Sequence, residues 1–144
     1  MKRQVIVIDP GKGAWLLNCD PETRTLALGE LQKLVGGPIE AVPTMLSDGW
    51  AREDGARVVM IVNEEGRLLG LPHNEDASLM AAFGIGAIVG VALIMAAQED
   101  RLVGLRPDAA TRIMAEWLTG DVDDVEQGST APKMPPLWGA IHRR

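Results

Sequence analysis

Short apolar runs separated by turn residues predict a series of strands and helices along the chain. Val5 to Ile8 are β-branched in succession, so we predict a buried strand from Gln4 to Asp9. Pro10 to Gly13 have turn chemistry, and Ala14 to Asn18 can return as a second strand. The N-terminus is therefore expected to form a hairpin.

A helix and a third strand are predicted next. Asp20 and Thr25 are both residue types that cap helix N-termini, and either could start a helix whose leucines approximate helical spacing. Gly36 and Gly37 are expected to stop it, because glycine accepts the left-handed backbone found at helix ends. Pro38 to Val42 then has the composition of a strand.

The middle of the chain is predicted to contain a second hairpin. Residues 44–55 are expected to form a loop, followed by a strand from Arg57 to Val62. Residues 63–66 are typical of a turn, with Gly66 as its special residue, and Arg67 to Leu71 can pair back across it.

The last predicted elements are two helices that flank a pair of strands. Asn74 can cap a helix that runs from Glu75 to about Phe83. Ile88 to Ala96 and Arg101 to Leu105 are predicted as partner strands. Residues 107–120 are predicted as a helix that has proline in its first turn and is ended by glycine.

Together these elements indicate an α+β fold with a small mixed or antiparallel sheet of about five to seven short strands and two or three helices. We expect residues 1–120 to form a single domain. Residues 121–144 combine an acidic run with a proline-rich stretch, which predicts a tail that is mobile or docks on a partner. Trp138 and Ile141 are its obvious anchors, and docking on a second copy would make the protein a homo-oligomeric, structural module.

One segment permits a different interpretation. No charged residue occurs from Ala77 to Gln98, and a stretch of this length can cross a membrane as a helix. The same residues are also consistent with a helix that ends near Gly84 and Gly86 and is followed by a fully buried strand. The flanking residues are acidic on both sides, which gives no positive-inside bias, so we expect no membrane association.

Composition narrows the function classes. The formal net charge is −6 and the basic residues are scattered, so we expect no nucleic-acid partner. The single cysteine, Cys19, excludes an intramolecular disulfide, and the N-terminus has no secretory pattern. These features are typical of a soluble cytoplasmic protein.

Motifs with catalytic chemistry are incomplete. Gly11-Lys12 follows a strand, but Ile6 and Gly13 occupy the positions where a phosphate-binding loop has glycine and Ser or Thr. The histidines His73 and His142 have no second ligand at metal spacing. We therefore expect no metal site, no cofactor and no built-in catalytic centre.

Two strings of residues carry a resemblance. They are LxxLVGGxIE, at Leu31 to Glu40, and NEEG(K/R)LxGLPxN, at Asn63 to Asn74, followed by the glycine-containing strand and its return. In this combination, over roughly residues 4–118, the chain resembles a family of small phage, prophage and mobile-element proteins catalogued as a domain of unknown function. The resemblance implies a compact α+β domain of mobile-element origin, with counter-defence against the host as one role, and it supplies no catalytic residues.

The second string contains more polar groups than a turn requires, which makes it the candidate ligand-binding site. Amide, carboxylate, guanidinium and imidazole groups lie near one predicted hairpin, at Asn63, Glu64, Arg67, His73 and Asn74. The surface around residues 63–74 and 36–43 could bind a host protein or a small polar ligand without catalysis. Alternatively, the two asparagines only satisfy backbone groups. A third hypothesis is a small hydrolase or transferase that uses His73 with Glu64 or Glu65.

Overall fold

In the computed structural model of the chain, residues 2–46, 49–52 and 55–118 are described. Helices and strands alternate along these residues in no simple repeat. The strands are β1 (Gln4–Asp9), β2 (Gly13–Asn18), β3 (Ile39–Pro43), β4 (Ala56–Asn63), β5 (Ala92–Gln98) and β6 (Arg101–Val103). The helices are α1 (Leu28–Val35), α2 (Gly49–Arg52), α3 (Gly66–Leu69), α4 (Glu75–Met80) and α5 (Pro107–Trp117).

The six strands form one antiparallel sheet, in the order β2-β1-β5-β4-β3, and β6 also pairs with β5. β5 is the central strand: Leu93 lies opposite both Val7 of β1 and Ile61 of β4. This arrangement confirms the predicted α+β class with an antiparallel sheet. α1, α4 and α5 are the three predicted helices, whereas the one-turn helices α2 and α3 were not predicted.

Both faces of the sheet are covered, which explains why the middle residues of the central strands are apolar without a break. Even-numbered residues of β1, including Ile6, face a core that contains Met80 of α4 and Ile113 of α5. Odd-numbered residues, including Val7, face a second core that contains Leu31 of α1. A period-two signal is absent from β1 and β5 because neither face is open to water.

The uncharged stretch divides into three parts. It supplies most of α4, a loop at residues 81–91, and β5. The predicted helix to Phe83 is too long, because Ala81 is already extended and forms a bridge with Thr44. The predicted strand from Ile88 starts too early, because Gly90 has a φ of 77° and regular pairing begins at Ala92. Within the described part of the chain, no helix is long and apolar enough to span a membrane.

The predicted hairpin of Arg67 to Leu71 against β4 is wrong. The two edges of β4 are already paired with β3 and β5, so no strand can be added beside it. The chain instead turns at Asn63, whose side-chain oxygen accepts a hydrogen bond from the Glu65 N–H at 2.7 Å, and continues into α3.

The first helix starts later than either predicted cap. Asp20 caps a turn instead, since its carboxylate accepts hydrogen bonds from the N–H groups of Glu22 and Thr23. α1 begins after Ala27, whose N–H donates to the Glu30 side chain at 3.1 Å. Gly36 ends the helix in the left-handed conformation, as predicted. The predicted tail and Gly120 lie outside the described residues.

Candidate functional site

A groove of about 310 Å³ opens where β3 and β4 meet α3 and the loop at residues 81–91. β3 contributes Glu40 and Val42, which are two positions apart and therefore lie on the same face of the sheet. β4 contributes Val62, which lies opposite Glu40. The other lining residues are Asn63 at the end of β4, Glu64 in the turn that follows it, Arg67 and Leu68 of α3, and Ile85, Ala87, Ile88 and Val89 of the loop. We call this feature the β3–α3 groove.

The floor of the β3–α3 groove is apolar and the rim is charged. Val42, Val62 and Ile88 form the floor, and all three belong to the buried core. Glu40, Glu64 and Arg67 are exposed. Two carboxylates against one guanidinium give the rim a net negative charge, which favours a cationic group above an apolar surface.

Arg67 ties the two walls of the groove together. Its Nη2 donates to the Ala87 carbonyl oxygen at 2.6 Å, so α3 holds the loop at residues 81–91 in place. Gly66, predicted as a turn residue, serves a packing role at this point: a Cβ there would lie 3.0 Å from Val89 Cγ2. The absence of a side chain at Gly66 therefore lets α3 lie close to Val89 of the loop.

Asn63 uses both ends of its side-chain amide within the fold. Its Nδ2 donates to the Val35 carbonyl at the end of α1, at 3.1 Å, while its oxygen accepts from Glu65. Gly37 packs directly on this amide, since a Cβ at Gly37 would lie 2.9 Å from Nδ2. Asn63 therefore positions the groove wall and has little capacity left for a ligand.

The side chain of Asn74 is also used for hydrogen bonds within the fold. It is 1 % exposed, and its Nδ2 donates to the carbonyl oxygens of Ile8 at 3.0 Å and Gly90 at 2.8 Å. Its Oδ1 accepts from the Ala77 N–H at 3.1 Å, which is the helix cap that the sequence predicts. All of its hydrogen-bonding groups are engaged, and it does not line the groove.

His73 is exposed and forms an isolated bridge with Val89, but it is not among the groove-lining residues. The structure thus brings Asn63, Glu64 and Arg67 into the β3–α3 groove and leaves His73 and Asn74 outside it. Glu65 is exposed and also lies outside the lining.

Sequence reasoning missed Leu68 and the loop residues that complete the groove. Leu68 is 89 % exposed, so its apolar side chain is accessible to a partner at the groove. Phe83, two positions before the groove residue Ile85, is 100 % exposed. The sequence contained one indication of this surface. Leu68 and Leu69 are an apolar pair that follows the predicted turn at residues 63–66, where polar residues are more common.

A second concavity lies between the end of β2 and the start of α1 and includes Cys19, Asp20 and Glu30. Cys19 is 3 % exposed, and burial raises the pKa of its thiol to about 11. Its thiol is therefore neutral at physiological pH, which is unsuitable for a nucleophile.

Comparison with known proteins identifies the family of the chain. A family model described as Domain of unknown function (DUF3846) matches residues 1–118, which include every strand and helix described above. No curated protein and no solved structure matches the chain.

Proposed function

The chain belongs to the DUF3846 family, whose description assigns no function, and we propose that it is a non-enzymatic binding module that engages a partner protein through the β3–α3 groove. The observation that carries the proposal is the combination of an apolar floor, a net negative rim and the exposed Leu68 at its edge.

The exposed apolar side chains favour a protein partner over a small ligand. Leu68, which is 89 % exposed, adds apolar surface to the groove, and Phe83 of the loop at residues 81–91 is 100 % exposed. A small molecule held in the groove would leave these side chains in water, whereas a protein surface can cover them. Exposed apolar residues beside a polar rim are common at protein interfaces.

Charge indicates what the partner segment contains. Glu40 and Glu64 both lie on the rim, and the formal net charge of the chain is −6, so long-range attraction favours a basic partner. We propose a segment that places an apolar side chain on Val42 and Val62 and a Lys or Arg side chain against the two carboxylates. Origin in a phage or other mobile element, and a host protein as partner, belong to this proposal and rest on the sequence resemblance.

No observation on the described residues favours the hydrolase or transferase alternative. That alternative needs His73 next to Glu64 or Glu65, and only Glu64 of these three lines the groove.

The test is affinity capture from the native host, followed by quantitative binding with matched variants. Leu68→Ser removes the apolar rim and Glu64→Lys reverses the rim charge, so each is expected to weaken partner binding by at least roughly tenfold. Leu28→Ser is the control, because Leu28 is 57 % exposed on α1, outside the groove.

The result that contradicts the proposal is equal binding by the wild type and both groove variants. Native mass spectrometry of the purified protein tests the alternative that the groove binds a small ligand. A small molecule that the wild type retains and Glu64→Lys loses would support a ligand in place of a protein partner.

A further inference from the structure

The strand β2 forms one outer edge of the sheet, and only β1 pairs with it. The Cys19 N–H donates to the Arg3 carbonyl at 2.8 Å, which fixes the alternation of hydrogen-bonded pairs along the two strands. It follows that Leu17 and Trp15 exchange hydrogen bonds with β1. The N–H and C=O groups of Ala14, Leu16 and Asn18 point away from the sheet.

The two end strands of the order β2-β1-β5-β4-β3 differ in protection. β3, the other edge, contains Glu40 and Pro43, and the Pro43 carbonyl accepts a hydrogen bond from the Ala82 N–H at 3.0 Å. β2 has the sequence GAWLLN, with no charge and no proline. Natural edge strands usually carry one or more such protective features, so an uncharged strand of six residues is typical of an edge that is paired.

We propose that β2 pairs antiparallel with β2 of a second copy of this chain, around a two-fold axis at Leu16. In this register Leu16 lies opposite Leu16 of the second copy, and Ala14 lies opposite Asn18. All three residues with outward backbone groups then find partners, and the two sheets become continuous. Registers that shift the axis by one residue leave one of these residues beyond the paired segment.

The charges at the two ends of β2 match this register. Lys12 precedes the strand and Asp20 follows it, and both are exposed. A two-fold axis at Leu16 places Lys12 opposite Asp20 of the second copy, twice in the dimer. The N–H groups of Glu22 and Thr23 donate to Asp20 Oδ1, which orients the carboxylate.

The side chains of β2 are also suited to the pairing. Trp15, Leu16 and Leu17 are only half-buried within one chain. In the proposed register Trp15 faces Leu17 of the second copy, and aromatic–aliphatic cross-strand pairs of this kind are stabilising. The β3–α3 groove lies at the opposite edge of the sheet, so each copy keeps its groove open and the inference does not depend on the proposed function.

Sedimentation equilibrium of the full chain at low micromolar to several hundred micromolar concentration tests the proposal. We expect the mass to approach twice 15.5 kDa as concentration rises. Lys12→Glu replaces two attractive charge pairs by repulsive ones and is expected to raise the dimer dissociation constant roughly tenfold. Lys33→Glu makes the same charge change on exposed α1 and should leave the dissociation constant unchanged.

Oxidative cross-linking tests the register. Opposed residues of a hydrogen-bonded pair have Cα atoms about 5.5 Å apart, within the range of a disulfide. Leu16→Cys is therefore expected to form a covalent dimer, while Asn18→Cys, at the same edge but away from the axis, is not. Wild type is the background control because Cys19 is buried.

Three results would overturn the proposal. They are a monomer mass at every concentration, a dimer that Lys12→Glu does not weaken, and cross-linking of Asn18→Cys in preference to Leu16→Cys. Circular dichroism of each variant confirms that the fold is retained before the masses are compared.

Discussion

At the scale of single residues, the buried polar side chains connect segments that are far apart in the sequence. Asn74 joins β1, the loop before β5 and the start of α4 through three hydrogen bonds. Asn63 joins the end of α1 to the turn before α3. The two asparagines therefore shape the molecule around the β3–α3 groove without offering free groups to a ligand.

We predict that Asn74→Ala lowers the free energy of unfolding by about 3 kcal/mol, because it leaves buried carbonyls without donors and removes a helix cap. Asn74→Asp keeps the acceptor for Ala77 but loses both donors, so it should also be strongly destabilising. Gln32→Ala, on the exposed side of α1, should change the value by less than about 0.5 kcal/mol. Urea unfolding measures all three, and a small effect of both Asn74 variants would contradict the structural role.

The buried thiol of Cys19 gives a pH dependence with a defined sign. Burial raises its pKa from 9.0 to about 11, so the unfolded chain loses this proton first as pH rises. The contribution of Cys19 to stability is complete below pH 9 and decreases as pH rises from 9 to about 11.

We predict that the wild type loses up to about 2 to 3 kcal/mol more stability than Cys19→Ala across this pH range. Chemical unfolding of both proteins at pH 8 and at pH 11 measures the difference. Parallel pH profiles for the two proteins would show that the thiol is not desolvated in the fold.

At the scale of elements, glycines that look equivalent in the sequence have different structural roles. Gly90 has a φ of 77°, and a Cβ there would lie 2.7 Å from Leu71 Cδ1. Gly29 lies in the first turn of α1, and a Cβ there would meet nothing within 4 Å. One glycine is therefore required by the loop before β5, and the other is replaceable.

We predict that Gly90→Ala destabilises the protein by about 1 to 3 kcal/mol, because alanine is strained at positive φ and contacts Leu71. Gly29→Ala should stabilise it by a few tenths to about 1 kcal/mol through helix propensity. Thermal unfolding of the pair checks the contrast. Equal shifts for the two variants would contradict the loop geometry.

The sequence was informative for elements whose signals are local. β-branched residues identified β1, turn chemistry identified the β1–β2 hairpin, and Asn74 and Pro107 identified two helix starts. The predicted hairpin after β4 was wrong because residues 67–71 follow β4 directly and resemble a partner strand. Both edges of β4 are in fact paired with β3 and β5, which come from other parts of the chain. β5 was placed early at Ile88, since a continuous apolar run has no period that marks where pairing begins.

The candidate site was predictable only in part for the same reason. Residues 36–43 and 63–74 were expected to form one surface, and in the sheet Ile39 of β3 lies opposite Asn63 of β4. His73 was included because it is close in sequence to Glu64, but the chain turns through α3 between them. The loop residues of the groove could not be found, because their contact with α3 spans about twenty positions, as in Arg67 and Ala87.

At the scale of the whole molecule, one uncharged stretch determines both the fold and the groove. Residues 77–98 supply a helix that covers the sheet, a loop that forms a groove wall and the central strand. Ala92 to Met95 are fully buried between two cores, while Phe83 and Gly84 are exposed. The functional proposal depends on this division, because the groove exists only if the middle part leaves the helix and folds over β3 and β4.

Hydrogen exchange of backbone amides in the full chain tests this division most directly. We predict the slowest exchange in residues 92–96, which lie between two strands, and fast exchange in residues 83–87, which separate that strand from α4. Protection that continues without interruption from Ala77 to Gln98 would mean a single long helix. That result would contradict the central strand, the groove and the function proposed for it.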